Sequence, residues 1–269
     1  MTIHQTRSGR GKPLLLVHGL GGTNHSWDTI SPALAQAREV IALDLPGHGR
    51  SPAEADSGTF AGLVRSLDDW LSAEDLTGVD MVGSSMGARL VLEMARRGHA
   101  GAVVALDPGG FWQGWERTFF RTTITASIAL VRALRPALPA ITRNVASRTA
   151  LMLQLSARPW ALDPEFVSRE LRSFADTRTF NSLVKDLATG ENQRGSANTL
   201  APVVIGWGRK DRLCLPQQAE RAMAAFPEAT MHWFEQSGHF PMWDQPNEAI
   251  CVILDATSRS ASTTPTRAV

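Results

Sequence analysis

Val79-Asp80-Met81-Val82-Gly83-Ser84-Ser85-Met86-Gly87-Ala88 is the stretch whose reading decides the fold. The apolar positions Val79, Met81 and Val82 predict a short buried strand, and Ala88 to Ala95 predicts a helix. Between them stands Gly83-x-Ser85-x-Gly87, a serine flanked by glycines at a strand–turn–helix junction. A turn that sharp strains the backbone at Ser85, and side chains two residues either side would collide, so glycine takes both places. The turn presents the Ser85 hydroxyl at the start of a helix, where free N–H groups and the dipole favour negative charge. Gly-x-Ser-x-Gly alone is weak evidence. It gains force when an oxyanion donor, an acid and a histidine follow in suitable places.

Outward from this point the chain alternates. Residues 2–8 predict an edge strand, and Leu14-Leu15-Leu16-Val17 a strand buried on both faces. A glycine loop, His18 to Gly22, and a helix from Trp27 to Ala37 follow, then the strand Val40 to Leu43. Leu63, Leu67, Trp70 and Leu71 share one helical face. Beyond the central stretch come the strand Val103 to Leu106, then helical periodicity alone from Phe111 to Leu200. Helices are expected near Trp115–Leu134, Thr142–Leu155, Pro164–Phe174 and Thr179–Leu187. Alternation resumes with strand Val203–Trp207, helix Gln217–Phe226, strand Met231–Phe234 and helix Asn247–Thr257. This order predicts an α/β core, residues 1–110 and 201–258, whose mostly parallel central sheet has helices on both faces. The helical insertion 111–200, about ninety residues, is too long for an ordinary loop. Residues 259–269, rich in Ser and Thr, are expected to form a flexible tail.

Composition excludes several classes. The net charge is +1, so neither nucleic acid nor an anionic membrane is suggested as a partner. The polar opening, Met1 to Lys12, has no secretory apolar core. Ile124 to Ile141 is broken by Arg132, Arg135, Pro136 and Pro139, which argues against stable membrane insertion. The expectation is a cytoplasmic protein. Cys214 and Cys251 read as reduced core thiols. The chain contains no tyrosine, which removes that residue as an oxyanion donor or general acid.

A serine needs a base to become a nucleophile. His239, in Ser237-Gly238-His239 just past the last expected strand, is the candidate. Loops at the carboxyl ends of parallel strands converge above the sheet, where Ser85 also points. Asp211, past the strand Val203–Trp207, is the candidate acid to orient the imidazole. Asp107 also ends a strand and is the rival, although before Pro108-Gly109-Gly110 it makes a good turn residue. His18 is read as an anchor of its loop, and His25, His48 and His232 lack the position of His239. No histidine or cysteine spacing suggests a metal. The oxyanion donors are expected at the backbone N–H of Met86 and of Leu20.

With His18-Gly19-Leu20-Gly21-Gly22, Asp44-Leu45-Pro46-Gly47-His48-Gly49-Arg50-Ser51, Gly83-x-Ser85-x-Gly87 and Ser237-Gly238-His239 together, the sequence resembles the α/β-hydrolase superfamily over nearly its whole length. The resemblance implies the α/β-hydrolase fold, a triad of Ser85, Asp211 and His239, an oxyanion hole at Leu20 and Met86, and a helical cap formed by the insertion. A serine nucleophile argues against the dehalogenases and epoxide hydrolases that share the fold. The motifs look like those of small esterases, C–C hydrolases of ring-fission products and cofactor-free haloperoxidases.

Substrate selection should lie between core and cap. Trp112, Trp115, Phe119, Trp160, Phe240 and Trp243 are candidate pocket residues, and together they predict an apolar site. Arg117, Arg121, Arg132, Arg135 and Arg143 are read as a solvated face, with an anchor for an acidic substrate and contact of a basic amphipathic helix with a lipid surface as the lesser alternatives. The expected activity is cofactor-free hydrolysis of a small-molecule carboxylic ester with a small to medium acyl group. The alternatives are C–C bond hydrolysis of diketones and a low-turnover ligand receptor.

Overall fold

The computed structural model describes residues 3–258; the expected tail, 259–269, lies outside the described residues. In chain order the elements are β1 (Gln5–Ser8), β2 (Pro13–Val17), α1 (Ser31–Leu34), β3 (Glu39–Leu43), α2 (Phe60–Ala73), β4 (Asp80–Ser84), α3 (Met86–Arg97) and β5 (Val103–Leu106). Then come α4 (Glu116–Leu134), α5 (Leu138–Arg143), α6 (Val145–Met152), α7 (Pro164–Asp176) and α8 (Phe180–Thr189). The chain closes with β6 (Val203–Gly208), α9 (Gln218–Ala225), β7 (Thr230–Phe234), α10 (Pro241–Asp244) and α11 (Pro246–Ser258).

The strands form one sheet in the order β1-β3-β2-β4-β5-β6-β7, parallel except for β1. This is the α/β-hydrolase fold. Its centre explains the continuous apolar runs. Leu14 to Val17, Met81, Val82 and Val103 to Leu106 have no exposed surface, because helices cover both faces. Each such side chain contributes roughly 1.5–3 kcal/mol through burial. On α3 and α2 the apolar faces meet the sheet and each other; α11 lies against β5.

Two expected helices differ from the structure. In place of Trp27–Ala37 the chain makes a 3₁₀ turn over Asn24–Trp27 and the single turn α1, with Pro32 near its start. In place of Thr142–Leu155, α5 ends and α6 begins at Asn144, whose backbone is extended and whose side chain accepts the Ser147 N–H. Both cysteines are free, but only Cys214 is buried; Cys251 is exposed on α11. The helical run Glu116–Arg143 is long and apolar enough to cross a membrane by length and composition. A 3₁₀ turn at Arg135–Ala137 interrupts it.

Ser85, Asp107, Asp211, His239 and the His18–Gly22 loop all follow the carboxyl ends of parallel strands, so the topology gathers them at one edge of the sheet.

Candidate active site

Ser85 has φ 56° and ψ −114°, a region that L residues rarely occupy. Strain of this kind, of order 1–3 kcal/mol, persists only when the surroundings over-determine it. Here Ser85 N–H donates to Leu106 O on β5 (2.9 Å), and Arg89 N–H donates to Ser85 O (3.1 Å). A Cβ at Gly83 would stand 2.3 Å from Gly87 O, and one at Gly87 2.1 Å from Val17 O. Glycine is required at both.

The Ser85 hydroxyl donates to His239 Nε2 (2.8 Å), and His239 Nδ1–H donates to Asp211 Oδ2 (2.8 Å). Asp211 is fixed in turn, since its Oδ1 accepts the N–H groups of Leu213 (2.7 Å) and Cys214 (3.1 Å). His239 is held by its own N–H, which donates to Leu155 O (3.0 Å), and Gly238 N–H donates to Asp244 (2.7 Å). His239 has no exposed surface and Asp211 is 3% exposed, so water does not compete for these bonds.

Asp107 lies beside Asp211, not His239. Its Oδ1 accepts the Gly208 N–H (2.9 Å), while burial and then the Asp211 charge push its pKa well above the usual carboxylate range. Both causes favour its neutral form.

Neither the Leu20 nor the Met86 N–H donates to a protein acceptor among the described residues, and both residues line the cavity with Ser85 and His239. His18 anchors this loop. Its Nδ1–H donates to Gly19 O (2.7 Å), and its Nε2 accepts the Leu45 N–H (2.9 Å). Burial lowers the pKa of His18 and takes that of His48, whose ring centroid lies 5.0 Å away, down to about 3. Both stay neutral at pH 7. From α7, Ser173 Oγ donates to Gly21 O (2.7 Å) and Ser26 Oγ donates to Glu170 (2.6 Å), so this helix braces the same loop.

Above Ser85 is a cavity of about 80 Å³. Phe120, Ile124, Ile128 and Val131 of α4 form one wall, and Leu171, Phe174 and Phe180 of α7 and α8 another. Arg89 is its one cationic wall residue. Its guanidinium donates to Gln193 (3.2 Å) and Glu191 O (2.7 Å) and lies 4.0 Å over the Phe60 ring. Among the described residues, Asp211, Cys214 and His239 have ligand atoms within 4.8 Å of one another, close enough for a metal. Asp211 already spends both oxygens on N–H donors, and burial raises the Cys214 thiol pKa well above its ordinary value. A cation there would have to break the bonds that orient His239.

The sequence matches the alpha/beta hydrolase family over residues 14–251. The chain belongs to that family. The hydrolase is 28% identical to an uncharacterised protein of Mycobacterium tuberculosis over 94% of this chain and 78% of the other. It is 25% identical to a 2-hydroxy-6-oxononadienedioate/2-hydroxy-6-oxononatrienedioate hydrolase of Dechloromonas aromatica over 95% of this chain and 90% of the other. Its fold matches a thermophilic esterase from Thermogutta terrifontis with a TM-score of 0.74 at 18% identity, covering 96% and 93% of the two chains.

The hydrolase uses only part of the expected aromatic set around its cavity. Trp112 and Phe240 line the wall. Trp115 and Trp160 do not; they are 62% and 54% exposed. Trp115 stands on the solvent side of the first turn of α4, edge-on to Phe119 (5.6 Å), which faces an outer groove and not the cavity. Trp243 is buried behind the wall, stacked on Phe240 (3.9 Å), with its Nε1–H donating to Ser26 O (2.9 Å). The wall is mostly aliphatic, and the signal for it was the spacing of Phe120, Ile124, Ile128 and Val131, which places all four on one face of α4. Arg89 also went unread; four residues after Ser85, it lies one turn along the same helix.

Proposed function

We propose that this hydrolase cleaves carboxylic esters of small to medium apolar acyl groups through an acyl-enzyme on Ser85, with residues 111–200 acting as the cap over the site. The observation that carries the reading is the hydrogen bond from Ser85 Oγ to His239 Nε2, made by an imidazole that Asp211 orients. His239 removes the Ser85 proton as Oγ attacks the ester carbonyl. Charge develops on the carbonyl oxygen, where the Leu20 and Met86 N–H groups receive it. The imidazolium, stabilised by Asp211, protonates the departing alcohol. Water then enters, gives its proton to His239 as its oxygen attacks the acyl carbon, and the imidazolium returns that proton to Ser85 Oγ as the acid is released. Every step uses side chains or backbone N–H groups of this chain and a solvent water.

C–C hydrolysis is the second reading, favoured by the relatives that act on dioates. Two carboxylates call for two cations, and the cavity wall offers Arg89 alone, already bonded to Gln193 and Glu191. The ester reading is therefore preferred. The test is hydrolysis of p-nitrophenyl esters from acetate to decanoate by wild type and Ser85→Ala. Activity that falls roughly 10⁴-fold or more in the variant supports it. Equal rates, or turnover of ring-fission diketones alone, would overturn it.

A further inference from the structure

The outer face of α4 is unlike that of an ordinary surface helix. Its inner face lines the cavity, so its outer face would be expected to carry charge. Instead Trp115, Phe119, Thr122, Ala126, Leu130 and Ala133, which fall on one stripe at helical spacing, are all uncharged, and all but Phe119, which is half-buried, are exposed. Only 17% of the most apolar window of this helical run is buried. The stripe continues across a groove to α6, where Leu153 is exposed. Five of the six large hydrophobic residues standing exposed among the described residues belong to this region of the chain: Trp115, Leu130, Val145, Leu153 and Trp160.

Two further observations say what would cover this face. The first is charge. From Arg117 to Leu162 the sequence holds seven arginines and no acidic residue, in a chain whose net charge is +1. Even with Arg148 buried and Arg135 paired to Asp176, this stretch is cationic while the rest of the chain is net anionic. Arg212 stands at the groove itself, its guanidinium donating to Leu153 O (2.8 Å). A second copy of this chain, docked face to face, would bring the two arginine sets together at a cost. The second observation is continuity with the active site. Ser127, Val131, Leu151 and Gln154 border both the groove and the catalytic cavity. Gln154 Nε2–H donates to Thr123 Oγ1 (2.8 Å) across the gap between α4 and the end of α6.

We propose that the α4–α6 face of the cap docks on an anionic lipid surface and that the groove beneath Leu130 and Leu153 receives apolar chains from it. The apolar stripe enters the headgroup region while the arginine-rich cap is drawn to the negative surface. Docking is a property of the cap and does not depend on ester cleavage by Ser85.

The test uses full-length Ser85→Ala protein, so that binding is read without turnover. It is sedimented with vesicles of phosphatidylcholine alone and of phosphatidylcholine with phosphatidylglycerol, at low and high salt. The expected result is at least about tenfold more protein bound to the anionic vesicles at low salt, most of it released by high salt. The double variant Leu130→Glu/Leu153→Glu should lose that binding. The same double variant with Ser85 intact should hydrolyse a soluble butyrate ester at the wild-type rate, showing that the fold is kept. No binding to anionic vesicles, equal binding to neutral ones, or binding that survives the double variant would each overturn the proposal. A dimer that the double variant dissolves, without vesicle binding, would overturn it in favour of a second copy.

Discussion

Asp107 and Asp211 lie side by side with almost no exposed surface, yet only Asp211 reaches His239. The two carboxyls differ in what they bond. Asp211 is the acceptor of three N–H groups, whereas Asp107 accepts the Gly208 N–H alone and its Oδ2 has no hydrogen-bond partner among the described residues. Asp107→Asn keeps an oxygen to accept the Gly208 N–H, and asparagine tolerates the φ of 46° at that position. It should keep activity within about threefold of wild type, whereas Asp211→Asn should lose roughly 10³–10⁴-fold in kcat. Ester kinetics on the two variants check this. A comparable loss in both would make Asp107 a partner of the imidazole after all.

The aliphatic wall of α4 sets a length. Phe120 packs on Trp112 (5.0 Å), which lines the cavity with Gly109 next to Ser85, and Val131 lies about 16 Å further along the helix. Ile128→Phe should fill the far part of this space. Decanoate hydrolysis should fall about tenfold while acetate and butyrate stay within about twofold. The ratio of kcat/KM across the ester series is the measurement.

Glu170 on α7 makes stability depend on pH. Burial raises its pKa to about 7, against the bond from Ser26 and the nearby Arg169, with Asp28 acting in the same direction as burial. In the unfolded chain the group ionises near its ordinary value of 4.5. Between these values the folded state holds a proton that the unfolded state has lost, so stability falls as pH rises from about 4.5 to 7 and then levels. The span amounts to an effect on the order of 3 kcal/mol. Glu170→Gln should therefore be more stable than wild type at pH 8 and nearly equal to it at pH 4.5, as read by denaturant unfolding at each pH.

Gly19 tests the proposed oxyanion loop separately from the proposed triad. A Cβ there would meet Ser85 Cβ at 3.1 Å and Ser84 O at 3.2 Å. Gly19→Ala must push the loop, and with it the Leu20 N–H, away from the nucleophile. The expected loss is about 10²-fold in kcat with little change in KM, at a stability cost of about 1–3 kcal/mol. Steady-state kinetics and thermal unfolding of the variant separate the two effects.

The sheet and its functional loops were legible in the sequence because strand order and glycine placement are local signals. Gly83 and Gly87 announce a clash that any other residue would cause, and the apolar runs of β2, β4 and β5 announce burial on both faces. Side-chain placement in the helical region was not legible. Whether Trp115 or Phe120 faces the cavity depends on which side of α4 is covered by α7 and α8, and that contact is made more than forty residues away. Arg148 shows the same limit in reverse. It is buried, donating to Thr142 O, Pro159 O and Trp160 O, and so serves as a clamp on α6 where charge alone would suggest a solvated side chain.

The helices α4 to α8 leave the sheet after β5 and return at β6, and these two strands are immediate neighbours, with Val103 paired to Val203 and Leu106 to Gly206. The way out and the way back are thus side by side, like the two ends of a plug-in cassette. A helical module of another length or composition could be spliced between them without altering the strands that carry Ser85, Asp211 and His239. Diversification of such an enzyme, in nature or by grafting, can then proceed by exchange of the whole module while the reacting groups stay inherited and unchanged.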